Sequence, residues 1–519
     1  MNDVVRIPAE QERDEVGQTV LTLKTASPIV ADDEKGIRKT PELHSCNRQV
    51  SDEEGILMIT EEIKKKIRDI VGFENVLDSD LDRFGYSYDS SFVPLLPASK
   101  PDIIVRPLTT EEVAKVMTVA YEHAIPVTPR GAASGRTGGS VPLKGGISLG
   151  LDRMTRIVEL DERNMMVTVE AGVRTIDLYN HCAARGLFYP PDPASWKFST
   201  IGGNVAENAG GMRAVKYGVT TNYVMGLDVV LADGTVLKTG GKAIKNVTGY
   251  DLRSLFTGSE GTLGIITRVL LRLIPMPKKR GTLQITFHSL DDGCATIHQM
   301  LQGGLVPAAA EIMDRVCLDA VARYEKKEIE PGVEACIVIE IDGDSEAALE
   351  AQVKQIEAVA NQCGAVGFRV AQSQHESDEL WAIRRGLSSA VAALAPNRIG
   401  EDISVPRDAF PEVVRRIRAI SEKYRLPIAV YGHAGDGNLH PSVLCDLANP
   451  EEAKRVHEAV DEIFAAALAV GGTLSGEHGI GITKRPYITQ ALGEAGVKTL
   501  MAVKKALDPK GILNPGKIW

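Results

Sequence analysis

Two hydrophobic periodicities alternate along the chain from about residue 58 onward. In ITEEIKKKIRDIVG, a spacing of three to four residues places four apolar side chains on one face of a predicted helix: Ile63, Ile67, Ile70 and Val71. From Pro101, strand and helix patterns follow one another, first as the strand IIVRP, the helix TTEEVAKVMTVAYEHA and the strand IPVTPRG. Thr109 or Thr110 is predicted to open that helix. The alternation predicts a mixed α+β sheet domain.

The same alternation continues to the end of a first unit near Pro277. It predicts the strands GISLGL, IVEL and MMVTVEAG, the helix TIDLYNHCAARG and a strand pair around TLGIITRVLLRLIP. The segment PMPKK is predicted to be a linker. Beyond it, QITFHS, a helix, ACIVIEIDG, the helix EAALEAQVKQIEAVANQCG and FRVAQ predict a second, ferredoxin-like α+β unit.

Composition narrows the classes of partner. The 519 residues carry a formal net charge of -10, which disfavours nucleic acid or an anionic membrane surface as the main partner. The sequence contains no run of about 18 apolar residues, so we expect no transmembrane helix. The first residues are polar, so we expect no secretory signal and a cytoplasmic location. The seven cysteines form no C-x-x-C pair, so we expect no disulfide framework and no iron–sulfur cluster on this chain.

A glycine-rich segment, PRGAASGRTGGS at residues 129–140, follows a predicted strand. Its small residues allow tight turns that aim several backbone N–H groups at one anion, such as a pyrophosphate. A plain Gly/Ser loop is the alternative. The spacing fits neither G-x-G-x-x-G nor the G-K-[ST] ending of a P-loop, which disfavours nicotinamide binding of the usual type. Two further glycine-rich segments, at 190–211 and 258–265, indicate extended backbone around a buried ligand.

Two histidines flank a glycine-rich turn in YGHAGDGNLHP, residues 431–441. The Asp-Gly step within it is a strong hairpin signal and would place His433 and His440 across from one another. A surface hairpin with two incidental histidines is the alternative. Downstream, SGEHGIG provides Glu477 and His478, and two imidazoles with one carboxylate suit Zn²⁺ or Mn²⁺. The pattern predicts a metal site at His433, His440 and Glu477.

Together these motifs resemble a known family. The segments PRGAASGRTGGS, STIGGNVAENAGG, KYGVTTNYV and FTGSEGTLGIIT are similar to the FAD domain of the vanillyl-alcohol-oxidase/p-cresol-methylhydroxylase superfamily. With YGHAGDGNLHP, SGEHGIG and DPKGILNPGK, the chain resembles the branch that contains the glycolate oxidase D subunit and D-lactate dehydrogenase. The resemblance covers about residues 60–519 and implies an α+β fold. That fold has a two-subdomain FAD-binding domain of the p-cresol-methylhydroxylase type, then an α+β (ferredoxin-like) cap domain with a helical C-terminal part.

On this resemblance, residues 57–277 are expected to form the FAD-binding domain. Residues 278–519 would form the FAD-linked oxidase C-terminal domain, which covers the substrate, with about the last 35 residues returning to the flavin. Residues 1–56 are polar and show little periodicity, so we expect a weakly ordered N-terminal extension.

The resemblance also implies which residues contact FAD. The loop 130–140 would hold the pyrophosphate through backbone amides, 191–211 would pass the diphosphate and isoalloxazine, and 258–265 would contact the adenosine end. Ala133 stands where relatives often carry glycine. The first loop contains no His or Cys, so the flavin is expected to be noncovalent. The expected FAD-contacting residues are Arg130, Gly131, Ala132, Ser134, Gly135, Gly138, Gly139, Ser140, Pro191, Asp192, Ser199, Thr200, Gly202, Gly203, Asn204, Asn208, Gly210, Gly211, Gly218, Glu260, Gly261, Gly264, Ile265 and Asn514.

For catalysis, the resemblance implies FAD-dependent oxidation of a short D-2-hydroxy acid, D-lactate or glycolate, to the 2-oxo acid. The substrate hydroxyl and carboxylate would bind the metal, which lowers the hydroxyl pKa. His478 would act as general base, the Cα hydrogen would pass to the flavin as hydride, and Arg384 would bind the carboxylate. Relatives that act on 2-hydroxyglutarate carry a lysine near the position of Gly400, and its absence favours a shorter acid.

Other functions use the same architecture. They include D-2-hydroxyglutarate dehydrogenase and a flavin-dependent transferase of the alkylglycerone-phosphate-synthase type. A noncatalytic electron-carrier flavoprotein is a third alternative, which the histidine and glutamate set disfavours. Because the chain has no iron–sulfur cysteines, the electrons would pass to a partner protein, such as an iron–sulfur subunit or an electron-transfer flavoprotein, or to a quinone.

Overall fold

The computed structural model describes residues 10–13, 19–22, 59–92, 99–326 and 328–519. The chain separates into two compact units, Met1–Ile56 and Leu57–Trp519. In the first unit, β1 (Glu10–Arg13) and β2 (Thr19–Thr22) pair antiparallel. The rest of the predicted weakly ordered extension lies outside the described residues.

The first sheet of the larger unit is small and mostly parallel. Its N-terminal helix α1 (Glu61–Val71) is capped by Thr60 and buries three of the four residues predicted for its inner face: Ile63, Ile67 and Val71. The following elements are β3 (Val76–Leu77), α2 (Asp80–Gly85), β4 (Ile103–Val105), α3 (Thr110–Glu122), β5 (Val127–Arg130) and β6 (Ile147–Gly150). The strand order is β3-β4-β6-β5, and β6 runs parallel to both β4 and β5. Thr109 caps α3, as predicted.

A second, antiparallel sheet follows with the order β11-β10-β12-β8-β7. The elements of this part are β7 (Ile157–Asp161), β8 (Met166–Glu170), α4 (Thr175–Ala183), β9 (Leu187–Phe188), α5 (Ile201–Glu207), α6 (Ala214–Tyr217), β10 (Val224–Val230), β11 (Val236–Gly240), α7 (Leu252–Phe256), β12 (Ile265–Arg272) and β13 (Ile274–Pro275). The predicted linker PMPKK is shorter than expected, because Pro275 pairs with Leu187 and the next strand already begins at Lys279.

The third part contains the predicted ferredoxin-like motif. Its elements are β14 (Lys279–Phe287), α8 (Leu290–Gln302), β15 (Ala309–Asp314), α9 (Arg315–Glu325), β16 (Ala335–Gly343), α10 (Glu346–Gln362) and β17 (Ala365–Val370). The order β17-β14-β16-β15, with every neighbouring pair antiparallel, is that of a ferredoxin-like sheet with α9 inserted. The prediction is therefore confirmed.

The chain then extends this sheet with a hairpin and surrounds it with helices. The remaining elements are α11 (Gln374–Ala392), β18 (Asn397–Gly400), β19 (Ile403–Ser404), α12 (Phe410–Tyr424), β20 (Ile428–Ala429), β21 (Tyr431–His433), β22 (Asn438–Leu439), β23 (Ser442–Cys445), α13 (Pro450–Ala469) and α14 (Ile488–Leu507). Strands β21, β22 and β19 continue the ferredoxin-like sheet beyond β15. Because β21 pairs with β15, this continuation places the histidine hairpin beside residues 311–313.

Residues from the C-terminal segment pack on the first sheet. Ile512 and Leu513 belong to the hydrophobic core formed with β4, β5 and β6, and the backbone N–H of Asn514 donates to the carbonyl oxygen of Val127 at 2.8 Å. The division at residues 277 and 278 stays a prediction. In the described ranges, no helix is long and apolar enough to cross a membrane.

Candidate active site

A cavity of about 600 Å³ lies where the predicted glycine-rich segments meet. We call it the glycine-lined cavity. Most of the residues expected to contact FAD line it: Arg130, Gly131, Ala132, Ser134, Gly135, Gly139, Ser140, Ser199, Thr200, Gly202, Gly203, Asn204, Gly210, Glu260, Gly261 and Gly264. Segments more than 100 residues apart in the sequence therefore meet around one space.

The other residues of that set lie elsewhere. Pro191 and Asp192 line a neighbouring cavity. Six residues line neither cavity: Gly138, Asn208, Gly211, Gly218, Ile265 and Asn514. Contact with FAD stays a prediction for the whole set.

Close approach of neighbouring side chains explains two of the glycines. A Cβ atom on Gly131 would lie 2.4 Å from Oγ1 of Thr200, and one on Gly261 would lie 2.3 Å from Cγ of Pro129. Either contact is too short for a side chain, so these positions require glycine. Ala133 has φ +53°, in the left-handed region that glycine adopts without strain. The glycine that relatives often carry there would remove this strain.

Asn514 and Glu260 tie three segments together beside the glycine-lined cavity. Nδ2 of Asn514 donates to the carbonyl oxygens of Gly139 and Glu260, at 2.8 and 2.7 Å. The Glu260 carboxylate accepts the backbone N–H groups of Ile480 and Gly481, both at 2.7 Å. Asn514 thus holds the loops in place, whether or not its side chain contacts the cofactor.

The histidine hairpin forms as predicted, with a different register. Gly437 has φ +87°, and a Cβ atom there would lie 2.1 Å from the carbonyl oxygen of Val405. Asn438, not His440, lies directly opposite His433. His440 is diagonal to His433, and their Nε2 atoms are 3.4 Å apart.

Glu477 completes a cluster with the two histidines. Its Oε1 atom lies 3.5 Å from Nε2 of His433 and 3.4 Å from Nε2 of His440. One possible ligand atom from each of the three residues lies within 4.8 Å of the others. Oε2 of Glu477 is buried without a hydrogen-bond partner. Two imidazole nitrogens and a carboxylate in this arrangement fit Zn²⁺ or Mn²⁺.

Two carboxylates that sequence reasoning missed support this cluster. Oε1 of Glu311, in β15, lies 2.5 Å from Nδ1 of His433. Asp402 accepts the backbone N–H groups of three consecutive residues at 2.9–3.0 Å: Gly476, Glu477 and His478. Glu311 was detectable as the one charged residue amid AAAEIM, because a carboxylate buried in a strand requires partners.

The surroundings change the proton affinities of these groups. Burial lowers the pKa of His478, partly opposed by the charges of Asp402 and Glu477. Burial opposes charge on His433 also, yet Glu311 and Glu477 raise its pKa well above the usual value. The carboxylates therefore favour a cation at this place, either a proton or a metal ion.

A second cavity, of about 720 Å³, adjoins the first. We call it the cationic cavity, because Arg136, Lys197, Arg213, Arg384, Arg385 and Arg398 line it. Arg384 is held there by Glu311, which accepts a hydrogen bond from Nε at 2.6 Å. His433 and His440 also line the cationic cavity, whereas Glu477 and His478 line both cavities. These two neighbours therefore connect the glycine-lined space to the cationic one.

Comparison with known proteins identifies the family. The sequence matches the FAD binding domain family over residues 101–240 and the family of FAD linked oxidases, C-terminal domain, over residues 276–518. It is 42% identical to the glycolate oxidase subunit GlcD of Bacillus subtilis (strain 168), over 89% of this chain and 97% of that one. The chain belongs to the FAD-linked oxidase family. The FAD-linked oxidase is also 37% identical to a D-lactate dehydrogenase of Anaerostipes hadrus, over 89% and 98% of the two chains.

Solved structures agree with the fold expected for this FAD-linked oxidase. Substrate-bound p-cresol methylhydroxylase aligns with a TM-score of 0.74 at 20% identity, over 88% of this chain and 96% of that one. An alkyldihydroxyacetonephosphate synthase aligns with a TM-score of 0.67 at 19% identity, over 88% and 86%. The two-subdomain fold of the p-cresol-methylhydroxylase type is confirmed. The protein is an FAD-dependent oxidoreductase of the glycolate oxidase and D-lactate dehydrogenase type.

Proposed function

We propose that this protein oxidises a D-2-hydroxy acid to the 2-oxo acid, with D-lactate and glycolate as the first candidates. The observation that carries the proposal is the position of Glu477 and His478, which line both cavities. A substrate in the cationic cavity would meet FAD in the glycine-lined cavity beside these two residues. The names of the relatives, a glycolate oxidase subunit and a D-lactate dehydrogenase, support this class of substrate.

The glycine-lined cavity fits FAD, and FAD supplies the acceptor for the hydride from Cα. Gly131 and Gly261 line this cavity and have no side chain, so backbone N–H groups there can face a pyrophosphate without obstruction by a side chain of their own. The loop 130–140 contains neither His nor Cys, which supports noncovalent binding.

His433, His440 and Glu477 would hold a divalent metal, Zn²⁺ or Mn²⁺. The metal supplies positive charge that lowers the pKa of a neighbouring hydroxyl group. With a metal bound in place of the second proton, the contact with Glu311 would keep the remaining His433 proton on Nδ1, so that Nε2 would present its lone pair beside Glu477 and His440. A carboxylate on the far nitrogen is the usual support of a metal-ligating histidine.

His478 would take the hydroxyl proton as general base. Its lowered pKa keeps the imidazole neutral at physiological pH, which a base requires. Asp402 holds the loop that carries it by accepting the His478 N–H at 2.9 Å. His478 would hold the hydroxyl proton, and with bound FAD supplying the acceptor for the hydride from Cα, the substrate would leave as the 2-oxo acid.

Arg384 would bind the substrate carboxylate. Glu311 occupies its Nε atom and fixes the guanidinium at the wall of the cationic cavity, where the terminal nitrogens can pair with a carboxylate. We propose further that a partner protein or a quinone is the electron acceptor, since the described cysteines are dispersed and mostly buried and offer no site for an iron–sulfur cluster.

Anaerobic bleaching of the flavin absorbance tests the proposal. D-lactate, L-lactate and glycolate are added separately, before and after removal of metal with a chelator. We expect rapid bleaching by D-lactate or glycolate that chelation abolishes and Zn²⁺ or Mn²⁺ restores. An FAD-loaded protein that no 2-hydroxy acid bleaches would exclude the proposal and favour the transferase that shares the fold.

A further inference from the structure

Six cationic and five acidic side chains line the cationic cavity, so the cations that lack a carboxylate partner are the ones available to a substrate. Three of the lining arginines lie beside carboxylates of the protein. Nε of Arg213 lies 3.3 Å from Oε1 of Glu340, and Nη2 of Arg385 lies 3.6 Å from Oδ1 of Asp378. Arg384 pairs with Glu311, as described above. Lys197 is exposed, so its charge is screened by water.

Arg136 and Arg398 differ from these cations. Among the described residues, no carboxylate pairs with either guanidinium. Burial raises the pKa of Glu401, another lining residue, to about 7, so its carboxyl group carries only part of a charge near neutral pH. Burial lowers the pKa of Arg136, and the like charge of Arg398 lowers it further. The charges of Glu477 and Asp402 act on Arg136 from a distance, but two neighbouring guanidinium groups with no directly paired carboxylate still form a place where an anion is stabilised.

Arg398 is held in position by neutral groups. Its Nη1 atom donates to the carbonyl oxygen and to Oγ of Ser388, at 2.7 and 2.9 Å. Its Nη2 and Nε atoms lie 3.4 and 3.6 Å from the Cβ position of Gly400, two residues along β18. A cation therefore lies beside Gly400 although no lysine is present there. The absence of that lysine does not by itself favour a short acid.

We propose that Arg136 and Arg398 form a second anion-binding subsite, so that the preferred substrate is a 2-hydroxy acid with a second anionic group, a carboxylate or a phosphate. This inference rests on the proposed function, in which Arg384 and the metal cluster take the 2-hydroxy-carboxylate end. D-malate, D-2-hydroxyglutarate and D-glycerate 3-phosphate are members of this class. Their different lengths and terminal groups distinguish a carboxylate from a phosphate.

The test measures kcat/KM for anaerobic flavin reduction by D-lactate, glycolate and the three dianionic acids. We expect at least one dianionic acid to exceed D-lactate by about 10-fold to 100-fold, the effect of one or two charge-assisted hydrogen bonds. Bleaching by D-lactate that equals or exceeds bleaching by every dianionic acid would overturn the subsite and leave the proposed function standing. Bleaching by none of the five acids would overturn the proposed function.

Variants of the two arginines test whether these residues cause the preference for a dianionic acid. Arg398→Leu and Arg136→Leu are each expected to reduce the ratio of kcat/KM for the dianionic acid over D-lactate by about 10-fold or more. Arg415→Leu is the control, since this exposed arginine on α12 pairs with Asp291 and lines neither cavity, and the ratio should not change. Equal losses for both substrates in the Arg398→Leu variant would contradict the proposal.

A binding measurement keeps the test independent of turnover and of folding losses. Glutarate and butyrate, which have no 2-hydroxyl group, are titrated into FAD-loaded protein, and Kd is taken from the change in flavin absorbance. Glutarate should bind more tightly than butyrate in the wild type, and Arg398→Lys should retain more of that difference than Arg398→Leu. Equal Kd values for the two acids in the wild type would count against the subsite.

Discussion

Nδ1 of His433 lies 2.5 Å from Oε1 of Glu311, a carboxylate 122 residues earlier in the chain. The two residues face each other in neighbouring antiparallel strands, β15 and β21. The same carboxylate accepts the hydrogen bond from Arg384 through its other oxygen. One buried side chain thus orients both a predicted metal ligand and the predicted carboxylate-binding arginine.

Glu311→Gln is expected to weaken metal binding by about 10-fold to 100-fold, because the amide cannot hold the His433 ring as a carboxylate does. Competition with a chromophoric chelator measures the affinity. Glu357→Gln, at an exposed position on α10, is the control and should bind metal like the wild type. Unchanged affinity in Glu311→Gln would show that the ring orientation does not depend on this contact.

The rate of flavin reduction should depend on pH through His478. Because burial lowers the pKa of this histidine, the rate should be constant near neutral pH and fall as pH decreases through a midpoint below about 6.5. Asp402→Asn removes a charge that raises this pKa, so its midpoint should be lower still. Stopped-flow measurement of the flavin reduction rate between about pH 5 and 8 gives this profile. A midpoint above that of free histidine would contradict the assignment.

The His478→Asn variant tests the same assignment by removing the proposed general base. Removing a general base costs about 10²-fold to 10⁴-fold in rate, and the decrease toward acid pH should disappear with it. FAD content, measured by absorbance, should stay at the wild-type level because glycine, alanine and serine residues of other segments line most of the glycine-lined cavity. A variant that keeps the wild-type rate would assign proton transfer to another group.

Gly437→Ala should destabilise the hairpin. The new methyl group would meet the Val405 carbonyl oxygen at 2.1 Å in addition to the left-handed strain, for a total cost of about 3 kcal/mol or more. Gly471→Ala is the matched control, because φ is +79° there and no atom lies within 4 Å. Its cost should be the strain alone, about 1–2 kcal/mol. Thermal unfolding compares the stabilities of the two variants, and metal titration compares their metal affinities. Equal decreases in Tm would show that the contact with Val405 relaxes.

Asn514→Ala should weaken FAD binding without direct loss of a catalytic group. The variant loses two buried hydrogen bonds that hold Gly139 and Glu260, and a loss of about 1–3 kcal/mol corresponds to roughly 10-fold to 100-fold in Kd. Release of flavin on dilution measures the effect. Asn164→Ala, at an exposed turn, should retain FAD like the wild type.

Local chemistry explains which parts of the fold were predictable. Thr60 and Thr109 cap their helices because a hydroxyl followed by a helical hydrophobic pattern signals a helix start. The hairpin at 431–441 followed from the Asp-Gly step, although the register did not. A four-residue turn, 434–437, places Asn438 opposite His433, and residue spacing alone does not determine which pair faces which.

Contacts between distant segments that carry no recognisable motif could not be predicted from the sequence. The pairing of β15 with β21 that brings Glu311 to His433 depends on how the sheet assembles. The position of the Arg398 guanidinium was not predicted either, although Arg398 is only two residues from Gly400. The pattern at Gly400 indicated a missing cation, whereas the strand geometry places the guanidinium of Arg398 beside that glycine. Arg136 was visible as the only charged residue between Gly131 and Gly139, but its position at both cavities depends on the fold.

The three segments joined at Glu260 have a consequence for biosynthesis. Glu260 accepts hydrogen bonds from residues 220 and 221 positions later, and its carbonyl oxygen is bonded by a side chain 254 positions later. While the ribosome is still adding those last residues, the loop around Glu260 lacks both supports. We therefore expect this loop to gain its supports only after the C-terminal residues have left the ribosome, so that a chain truncated before Asn514 should bind FAD more weakly than the full chain.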